Sequence, residues 1–244
     1  MTASDSATFP DFPHHGDPGD RRHLIRPWAP PQLTLAVSRE SGARGVSIAQ
    51  RVGKRLGWDV FGQDLLEFLA QDDTGLSQLR QELAADALAW VDAQLARIQS
   101  DGILTPQADL GELPRVLFLL AARGKVVIVG RGAGYLLPAE STLHVRAIAP
   151  LADRIAYMTQ WQRLSLEEAT TQVHRLDQRR REFLASQFRH AANDPYHFDL
   201  VVNPSRLGED ACAELCCQAL QLKQAARDAS SGKHAVAALE IEPT

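Results

Sequence analysis

The chain alternates short apolar runs with longer stretches in which apolar residues recur every three or four positions. Residues 125–129 (KVVIV) form a continuous β-branched run, which is typical of a central strand buried on both faces. Ser165 and Glu168 have the spacing of a capping box and predict the start of a helix. The predicted strands cover residues 33–37, 58–61, 125–129, 142–148 and 200–203. The predicted helices cover residues 48–56, 64–70, 76–99 with room for one break, 113–122, segments starting at Pro150 and at Ser165, and residues 209–224. Strands that alternate with helices indicate an α/β fold, in which helices cover both faces of a mostly parallel sheet.

Both ends of the chain differ in composition from this regular middle. Residues 1–31 are rich in Pro, Gly, Asp and His and show almost no apolar periodicity, which predicts a disordered N-terminal arm. Residues 225–244 contain a helix-breaking cluster at residues 230–232 and predict a flexible C-terminal tail. We therefore expect one ordered domain over residues 32–224.

Composition and charge narrow the classes of function. The 244 residues are 45% hydrophobic, which is enough for one substantial domain, and they carry a net charge of −4. A negative balance gives no general attraction to a nucleic-acid polymer or an anionic membrane. Cys212, Cys216 and Cys217 share one helical segment that suits neither a disulfide nor a zinc site, and we interpret them as packing residues in a reducing compartment. No apolar run approaches the ~20 residues of a membrane span, so we expect a cytoplasmic protein, of an oligomeric state that the sequence leaves open.

The segment over residues 33–56 joins an apolar run, a loop with two glycines and an amphipathic helix. Strand, loop and helix in this order offer backbone N–H groups and a helix N-terminus to a phosphate. The loop departs from the Walker A pattern Gly-x-x-x-x-Gly-Lys-Ser/Thr. Arg44 stands at the second glycine, Gly45 at the lysine and Ser47, two residues further on, at the hydroxyl. The absent lysine is the main question about the chemistry of this loop.

Two further clusters are typical of phosphate chemistry. Glycines 130, 132 and 134 directly follow the central strand, and Arg131 among them can place a fork of donors in a cleft. The alternative there is a tight turn with a surface arginine. Residues 175–183 hold four arginines beside Asp177, and Asp177 and Arg180 share a helix face. An arginine lid supplies the positive charge that phosphoryl transfer requires, whereas the alternative is a solvated charged helix.

Taken together, these segments resemble the cytidylate kinase-like family, a branch of the P-loop nucleoside monophosphate kinases. The resemblance rests on SRESGARGVSIAQRVGKRLGW, then VIVGRGAGYLLP, then a D-x-x-R-x-x-F lid at Asp177, Arg180 and Phe183, then DLVVNPSRLGEDA. It implies a P-loop NTPase three-layer fold with a helical monophosphate-binding insert at about residues 64–122 and a lid at about residues 161–195. It also implies transfer of the ATP γ-phosphoryl group to CMP, dCMP or a related nucleoside monophosphate, with Mg²⁺.

The resemblance assigns roles to single residues. It implies that the loop wraps the ATP phosphates, with Ser47 as the hydroxyl on the Mg²⁺ side. It implies that Arg131 holds the monophosphate, that Arg180 stabilises the transferring phosphoryl group, and that Asp177 helps to orient nucleotide and lid. The expected ATP-binding residues are Ser38, Arg39, Gly42, Ala43, Arg44, Gly45, Val46 and Ser47. The expected acceptor-binding residues are Arg131, Gly132, Gly134, Asp64 and Arg175.

Three positions depart from the pattern of authentic cytidylate kinases or of this branch. Gly45, a residue common in this branch, stands where authentic kinases have the lysine, and we hypothesise that Arg39 or Arg44 partly replaces the lost charge. Gly132 stands at the aspartate of the Gly-Arg-Asp-x-Gly motif, and Gly62 stands where the branch usually has another aspartate. Two of the three losses therefore lie on the acceptor side, where CMP specificity is decided.

Three functions are compatible with the sequence. We favour a nucleoside monophosphate kinase in which arginines supply the charge. A nucleotide-binding sensor of the same fold is favoured by the missing lysine and aspartates, but it is opposed by the retained Asp177, Arg180 and Arg131. A kinase for a non-nucleotide small molecule would be permitted by the altered acceptor side. The histidines enter none of these hypotheses, because phosphoryl transfer depends mainly on positioning and charge.

Overall fold

A parallel sheet forms the centre of the computed structural model, which describes residues 28–189 and 194–239. The strands are β1 (Thr34–Arg39), β2 (Asp59–Phe61), β3 (Val126–Val129), β4 (Thr142–Ala147) and β5 (Leu200–Val202). Their order across the sheet is β2-β3-β1-β4-β5, and every neighbouring pair is parallel. In the middle of the sheet, Leu35 lies opposite Val127 on one side and Leu143 on the other. The carboxyl ends of β1, β3 and β4 therefore meet at one edge.

Helices connect these strands and follow the last of them. They are α1 (Gly45–Leu56), α2 (Gln63–Gln71), α3 (Asp73–Gln81), α4 (Ala85–Ser100), α5 (Leu113–Arg123), α6 (Ala133–Leu136), α7 (Leu151–Gln162), α8 (Leu166–Gln187), α9 (Pro204–Leu207) and α10 (Glu209–Leu239). A 3₁₀ helix at Pro195–His197 precedes β5.

The two faces of the sheet pack against different helices. Leu35 and Val37 on β1 join the cluster that contains Ile48 of α1 and Cys216 of α10. Ala36, which lies between them, joins the opposite cluster with the side chains of α5. Successive side chains of a strand point to opposite faces, so a nearly continuous apolar run supplies both cores. This helix–sheet–helix arrangement confirms the predicted three-layer α/β fold.

Most predicted elements are present in the structure. The helical region expected over residues 76–99 consists of α3 and α4, which are separated at residues 82–84. The Ser165 side chain accepts from the Glu168 N–H and the Glu168 carboxylate accepts from the Ser165 N–H, so the predicted capping box is confirmed. The disordered arm predicted over residues 1–31 lies mostly outside the described residues.

The last helix is longer than expected. Helix α10 continues to Leu239, whereas the sequence analysis ended it near Gln224 and expected a break at residues 230–232. Serine and glycine disfavour a helix by only about 0.5–1 kcal/mol relative to alanine. The alanines on either side of residues 230–232 are strong helix formers, and the helix passes through the cluster.

The three cysteines pack as predicted. Cys212, Cys216 and Cys217 are free thiols buried under the sheet. Burial, together with the neighbouring thiols, raises the pKa of Cys216 to about 12. At neutral pH this thiol is therefore protonated and unreactive. Among the described residues, no helix combines the length and the apolar character that crossing a membrane would require.

Candidate active site

A cavity of about 490 Å³ opens beyond the carboxyl ends of β1, β3 and β4. In open parallel sheets this edge is where ligands bind. The cavity is strongly positive, because seven arginines and only two carboxylates line it. The arginines are Arg39, Arg131, Arg146, Arg154, Arg179, Arg180 and Arg181, and the carboxylates are Glu40 and Asp177. Such a wall of guanidinium groups suits a polyanion such as a nucleotide phosphate chain.

The α8 helix contacts the loop after β1 directly. The Asp177 carboxylate accepts the Ser41 N–H at 2.8 Å, and the Arg180 guanidinium donates to the Ser41 hydroxyl. Arg180 and Asp177 also form an ion pair at 3.5 Å within α8. Burial would raise the pKa of Asp177, but the hydrogen bonds from Ser41 and Arg154 outweigh it and lower the pKa overall. Two residues predicted from the lid motif therefore meet the predicted phosphate loop at the cavity.

Arg154 on α7, a residue that no sequence motif indicated, organises this contact. Its guanidinium donates to the Asp177 carboxylate at 2.5 Å and to the Ser41 carbonyl at 3.1 Å. It also lies 3.5 Å from the Glu40 carboxylate. Only 8% of Arg154 is exposed, which is unusual for an arginine and is explained by these three partners. A charged residue one turn into a helix gives no sequence signal of burial, so only the structure reveals it.

The Arg39 side chain, at the end of β1, lies against Gly45 and Gly130. A Cβ built on Gly45 would lie 2.6 Å from the Arg39 Cβ, and one built on Gly130 would collide with the Arg39 guanidinium. Arg39 therefore occupies the room that side chains at 45 and 130 would need. Burial, and secondarily the charges of Arg180 and Arg131, lower the pKa of Arg39 to about 10.

The remaining predicted residues of the loop do not line the cavity. Gly42 has φ +78° and approaches the Arg154 carbonyl so closely that a Cβ would lie 2.5 Å from it. Ala43 is fully buried and Val46 is 47% exposed outside the cavity. Arg44 points away from the cavity, toward the Glu209 carboxylate at 3.9 Å and over the Tyr157 ring at 5.0 Å. Of the predicted loop residues, the side chains of Ser38 and Arg39 line the cavity.

Ser47 was the predicted Mg²⁺-side hydroxyl. In the structure its hydroxyl donates to the Glu209 carboxylate, which Arg51 also contacts at 3.2 Å. Magnesium is commonly held by one or two carboxylates together with substrate phosphates, and Glu40 and Asp177 are the carboxylates on the cavity wall. Within the described residues no group of three His, Cys, Asp or Glu side chains forms a ready metal site. The donor set therefore fits an ion carried largely by the phosphates, and a role for Ser47 would require its bond to Glu209 to break.

The glycine-rich segment after β3 forms a tight turn with three consecutive positive φ angles, +84° at Gly130, +52° at Arg131 and +75° at Gly132. This turn aims Arg131 into the cavity, where it pairs with the Glu67 carboxylate of α2 and stacks over Phe183 at 5.4 Å. Burial lowers the pKa of Arg131, and the charge of Asp64 opposes that shift. Arg131 thus reaches the cavity as predicted, and Asp64 lies close enough to act on it without lining the cavity.

Gly132 stands where the family motif has an aspartate, and an aromatic ring fills the space. A Cβ on Gly132 would collide with the Phe188 ring, which is itself 97% buried and stacks on Tyr135 at 5.2 Å. The backbone of Phe188 is held by the loop after α4, since Leu104 and Phe188 form an antiparallel bridge. Phe188 and Tyr135 were not predicted from the sequence, because no local pattern links them to position 132.

The remaining predicted residues divide between wall and surface. Gly134 lines the cavity, whereas Arg175 is exposed on α8 away from it. His144 is a buried residue of β4, where burial lowers its pKa to about 4 and keeps it neutral. His144 does not line the cavity, in keeping with hypotheses that assign no role to a histidine.

Comparison with known proteins identifies the family. The family model described as "Cytidylate kinase-like family" matches residues 34–206, which include every cavity-lining residue. A comparison with curated protein sequences finds no significant match. Among solved structures, an uncharacterized protein from Eubacterium ventriosum is similar with a TM-score of 0.55 at 13% identity, covering 78% of this chain and 98% of that one. This likeness supports the fold alone.

More distant is the shikimate kinase from Acinetobacter baumannii in complex with shikimate, with a TM-score of 0.42, 10% identity and coverage of 78% and 93%. Shikimate kinase from Bacteroides thetaiotaomicron has a TM-score of 0.41 at 11% identity, covering 78% of this chain and 98% of that one. Neither likeness is close enough to assign a substrate. The family match spans most of the chain, and its motifs meet at one cavity. The chain belongs to the cytidylate kinase-like family.

Proposed function

We propose that this protein transfers the γ-phosphoryl group of MgATP to a small anionic acceptor, with CMP or dCMP as the first candidates. The observation that carries the proposal is the meeting of Asp177 and Arg180 with Ser41 of the phosphate loop. A loop that binds phosphate and a helix that brings arginine to it are the parts phosphoryl transfer needs. The helices over residues 64–122 would form the acceptor-binding insert and the segment over residues 161–195 the lid.

The proposed donor site is the loop between β1 and α1. Its backbone N–H groups and the N-terminus of α1 favour negative charge, as in other phosphate sites at helix N-termini. Bound Mg²⁺ would neutralise part of the charge on the β- and γ-phosphates. Glu40 and Asp177 are the cavity-wall carboxylates within reach of such an ion, and Ser47 is a further candidate.

Arg180 would stabilise the transition state, in which charge spreads over the oxygens of the moving phosphoryl group. Burial lowers the pKa of Arg180, and the charge of Asp177 opposes this effect. The guanidinium therefore stays charged and fixed before ATP arrives, because Asp177 and Ser41 hold it. A donor fixed in advance costs little reorganisation during the reaction, which is how electrostatic catalysis gains its effect. Asp177 is a positioning residue in this scheme.

Arg131 would hold the acceptor's own anionic group opposite the donor phosphates. Its ion pair with Glu67 orients the guanidinium while leaving donors for a bidentate contact with a phosphate or carboxylate. CMP and dCMP are proposed from family membership, and a cytoplasmic location fits such a substrate and the three free cysteines.

The packing of Phe188 against Gly132 favours a second candidate, a kinase for a non-nucleotide anionic acceptor. The family's aspartate is absent there and an apolar ring takes its room, so one polar contact to a nucleotide acceptor is lost. A sensor that binds ATP without transferring phosphate is the third alternative, and the preassembled Arg180 argues against it.

The test is ADP production from MgATP in the presence of CMP, dCMP, UMP, AMP or GMP, with the full chain and with Arg180→Ala. Stimulation by CMP or dCMP that disappears in Arg180→Ala would support the cytidylate kinase hypothesis. Stimulation by none of the five, together with measurable ATP binding, would favour a non-nucleotide acceptor or the sensor. Absence of ATP binding would overturn the proposal.

A further inference from the structure

Arg39 is a half-buried cation without a counter-ion. Across residues 28–189 and 194–239, its guanidinium makes no hydrogen bond or ion pair, and its Nε is buried with no acceptor. Burial lowers the pKa of Arg39 most, and the positive charges of Arg180 and Arg131 lower it further. Placing a cation among like charges away from water is costly unless an anion joins it. The arrangement is therefore that of an anion site rather than of a structural ion pair.

Two glycines make room for this side chain. The Arg39 Cβ and Cγ lie 2.6 and 3.1 Å from the place where a Gly45 Cβ would be, and the guanidinium lies against Gly130. Gly45 is the position at which a Walker A loop carries its lysine. A side chain there and the Arg39 stem exclude each other. The absence of a lysine at position 45 and the presence of Arg39 therefore have the same steric cause.

We propose that Arg39 is the residue that binds the terminal phosphates of ATP in place of the P-loop lysine, reaching them from the end of β1 through the room left by Gly45 and Gly130. This inference rests on the proposed function, because it concerns the same donor site. Arg39, unlike Arg44, lines the cavity, so only one of the two arginines considered from the sequence is placed for this role.

The first test removes the charge and keeps the stem. Arg39→Met is expected to weaken binding of MgATP and of inorganic tripolyphosphate by about 10- to 100-fold, as for loss of a charge-assisted hydrogen bond. The midpoint of thermal unfolding without ligand is expected to stay or to rise, since an uncompensated buried charge is removed. Arg39→Lys should recover part of the affinity. The matched control is Arg55→Ala on α1, whose guanidinium pairs with Asp210 and Glu214 on the surface.

The second test moves the charge to its Walker A position. Gly45→Lys alone is expected to bind MgATP poorly, because its Cβ meets the Arg39 Cβ. Arg39→Gly removes that atom, so the double variant Arg39→Gly/Gly45→Lys should bind MgATP at least about 5-fold more tightly than Arg39→Gly alone, a part of the effect of one charged contact.

The outcomes separate this inference from the proposed function. If the full wild-type chain binds neither MgATP nor tripolyphosphate, the proposed function fails first. If wild type binds both and Arg39→Met binds them equally well, the inference about Arg39 is wrong while the proposed function stands. A fall in the unfolding midpoint of Arg39→Met with unchanged affinity would assign Arg39 a structural role and overturn the inference in the same way.

Discussion

Two glycines near the cavity stand where the sequence comparison with authentic cytidylate kinases expects a functional side chain, and their surroundings differ. At Gly45, on the donor side, the room is taken by Arg39, which brings a positive charge to the same cavity. At Gly132, on the acceptor side, the room is taken by Phe188, which brings an apolar ring. Arg39 therefore replaces the charge of the absent lysine, whereas Phe188 replaces only the volume of the absent aspartate.

The two sides of the cavity are organised differently. The donor side is organised by charge, since Arg154, Asp177 and Arg180 all converge on Ser41. The acceptor side is organised by packing, since Phe188 stacks on Tyr135 and lies under Gly132. We therefore expect ATP use to survive and the choice of acceptor to have moved.

The largest expected effect is the loss of Arg180. Arg180→Ala should lower acceptor-dependent ADP formation by about 10³-fold, the range found for residues that stabilise transferring phosphoryl charge. The dissociation constant for MgATP should change far less than kcat, because the contact strengthens in the transition state. Steady-state kinetics beside an Arg55→Ala control measure both quantities. Equal losses in affinity and kcat would contradict a transition-state role.

The next effect concerns the acceptor side. Gly132→Asp should lower the free energy of unfolding by about 1–3 kcal/mol, because the new side chain overpacks against Phe188. Phe188→Ala removes that obstacle at its own cost, so the double variant should be more stable than the sum of the two single losses predicts. Urea unfolding of the four proteins gives the coupling. Simple additivity would show that the Phe188 ring does not limit position 132.

A smaller effect tests whether charge holds the donor side. The pKa of Asp177 is lowered in the folded protein, so its contribution is fully present above its unfolded pKa of about 3.9 and is lost as pH falls through the folded pKa. Asp177→Asn should therefore reduce the free energy of unfolding by about 1–2 kcal/mol at pH 7 and by progressively less below pH ~4. The cost in unfolding free energy of Gly132→Asn, which fills the same space without adding a titratable group, should show no such decline. If the loss of unfolding free energy in Asp177→Asn were independent of pH, the claim that charge stabilises the donor side would be contradicted.

The smallest effect separates the two arginines of the loop. Arg44→Ala should change the MgATP dissociation constant by less than about 3-fold, since its partners Glu209 and Tyr157 lie outside the cavity and partly exposed pairs contribute little. Calorimetric titration is the measurement. A loss as large as that of Arg39→Met would mean that Arg44 turns into the site when ATP binds.

The sequence predicts the fold more fully than the site. The β-branched run over residues 125–129, the capping box at Ser165 and the spacing of the helices are local signals, and the structure contains the elements they predict. The length of α10 is wrong in the prediction, because small residues at 230–232 were given too much weight as breakers.

Long-range contacts account for what the sequence does not reveal. The motifs led to Arg131, Asp177 and Arg180, which line the cavity, but also to Arg175, which lies outside it. Arg154 contacts Ser41 and Asp177, which are 113 and 23 positions away in the sequence. No local sequence pattern predicts these contacts. The exclusion between Arg39 and Gly45 likewise depends on the direction of a side chain rather than on a residue pattern.

The most direct test of the account is a calorimetric titration of MgATP into the full wild-type chain, repeated in the presence of excess inorganic tripolyphosphate. The account predicts saturable binding at one site, which tripolyphosphate competes away because the arginines of the cavity hold the phosphate chain. Absence of MgATP binding, or binding that tripolyphosphate leaves unchanged, would contradict the claim that this cavity is a donor site retained without its lysine.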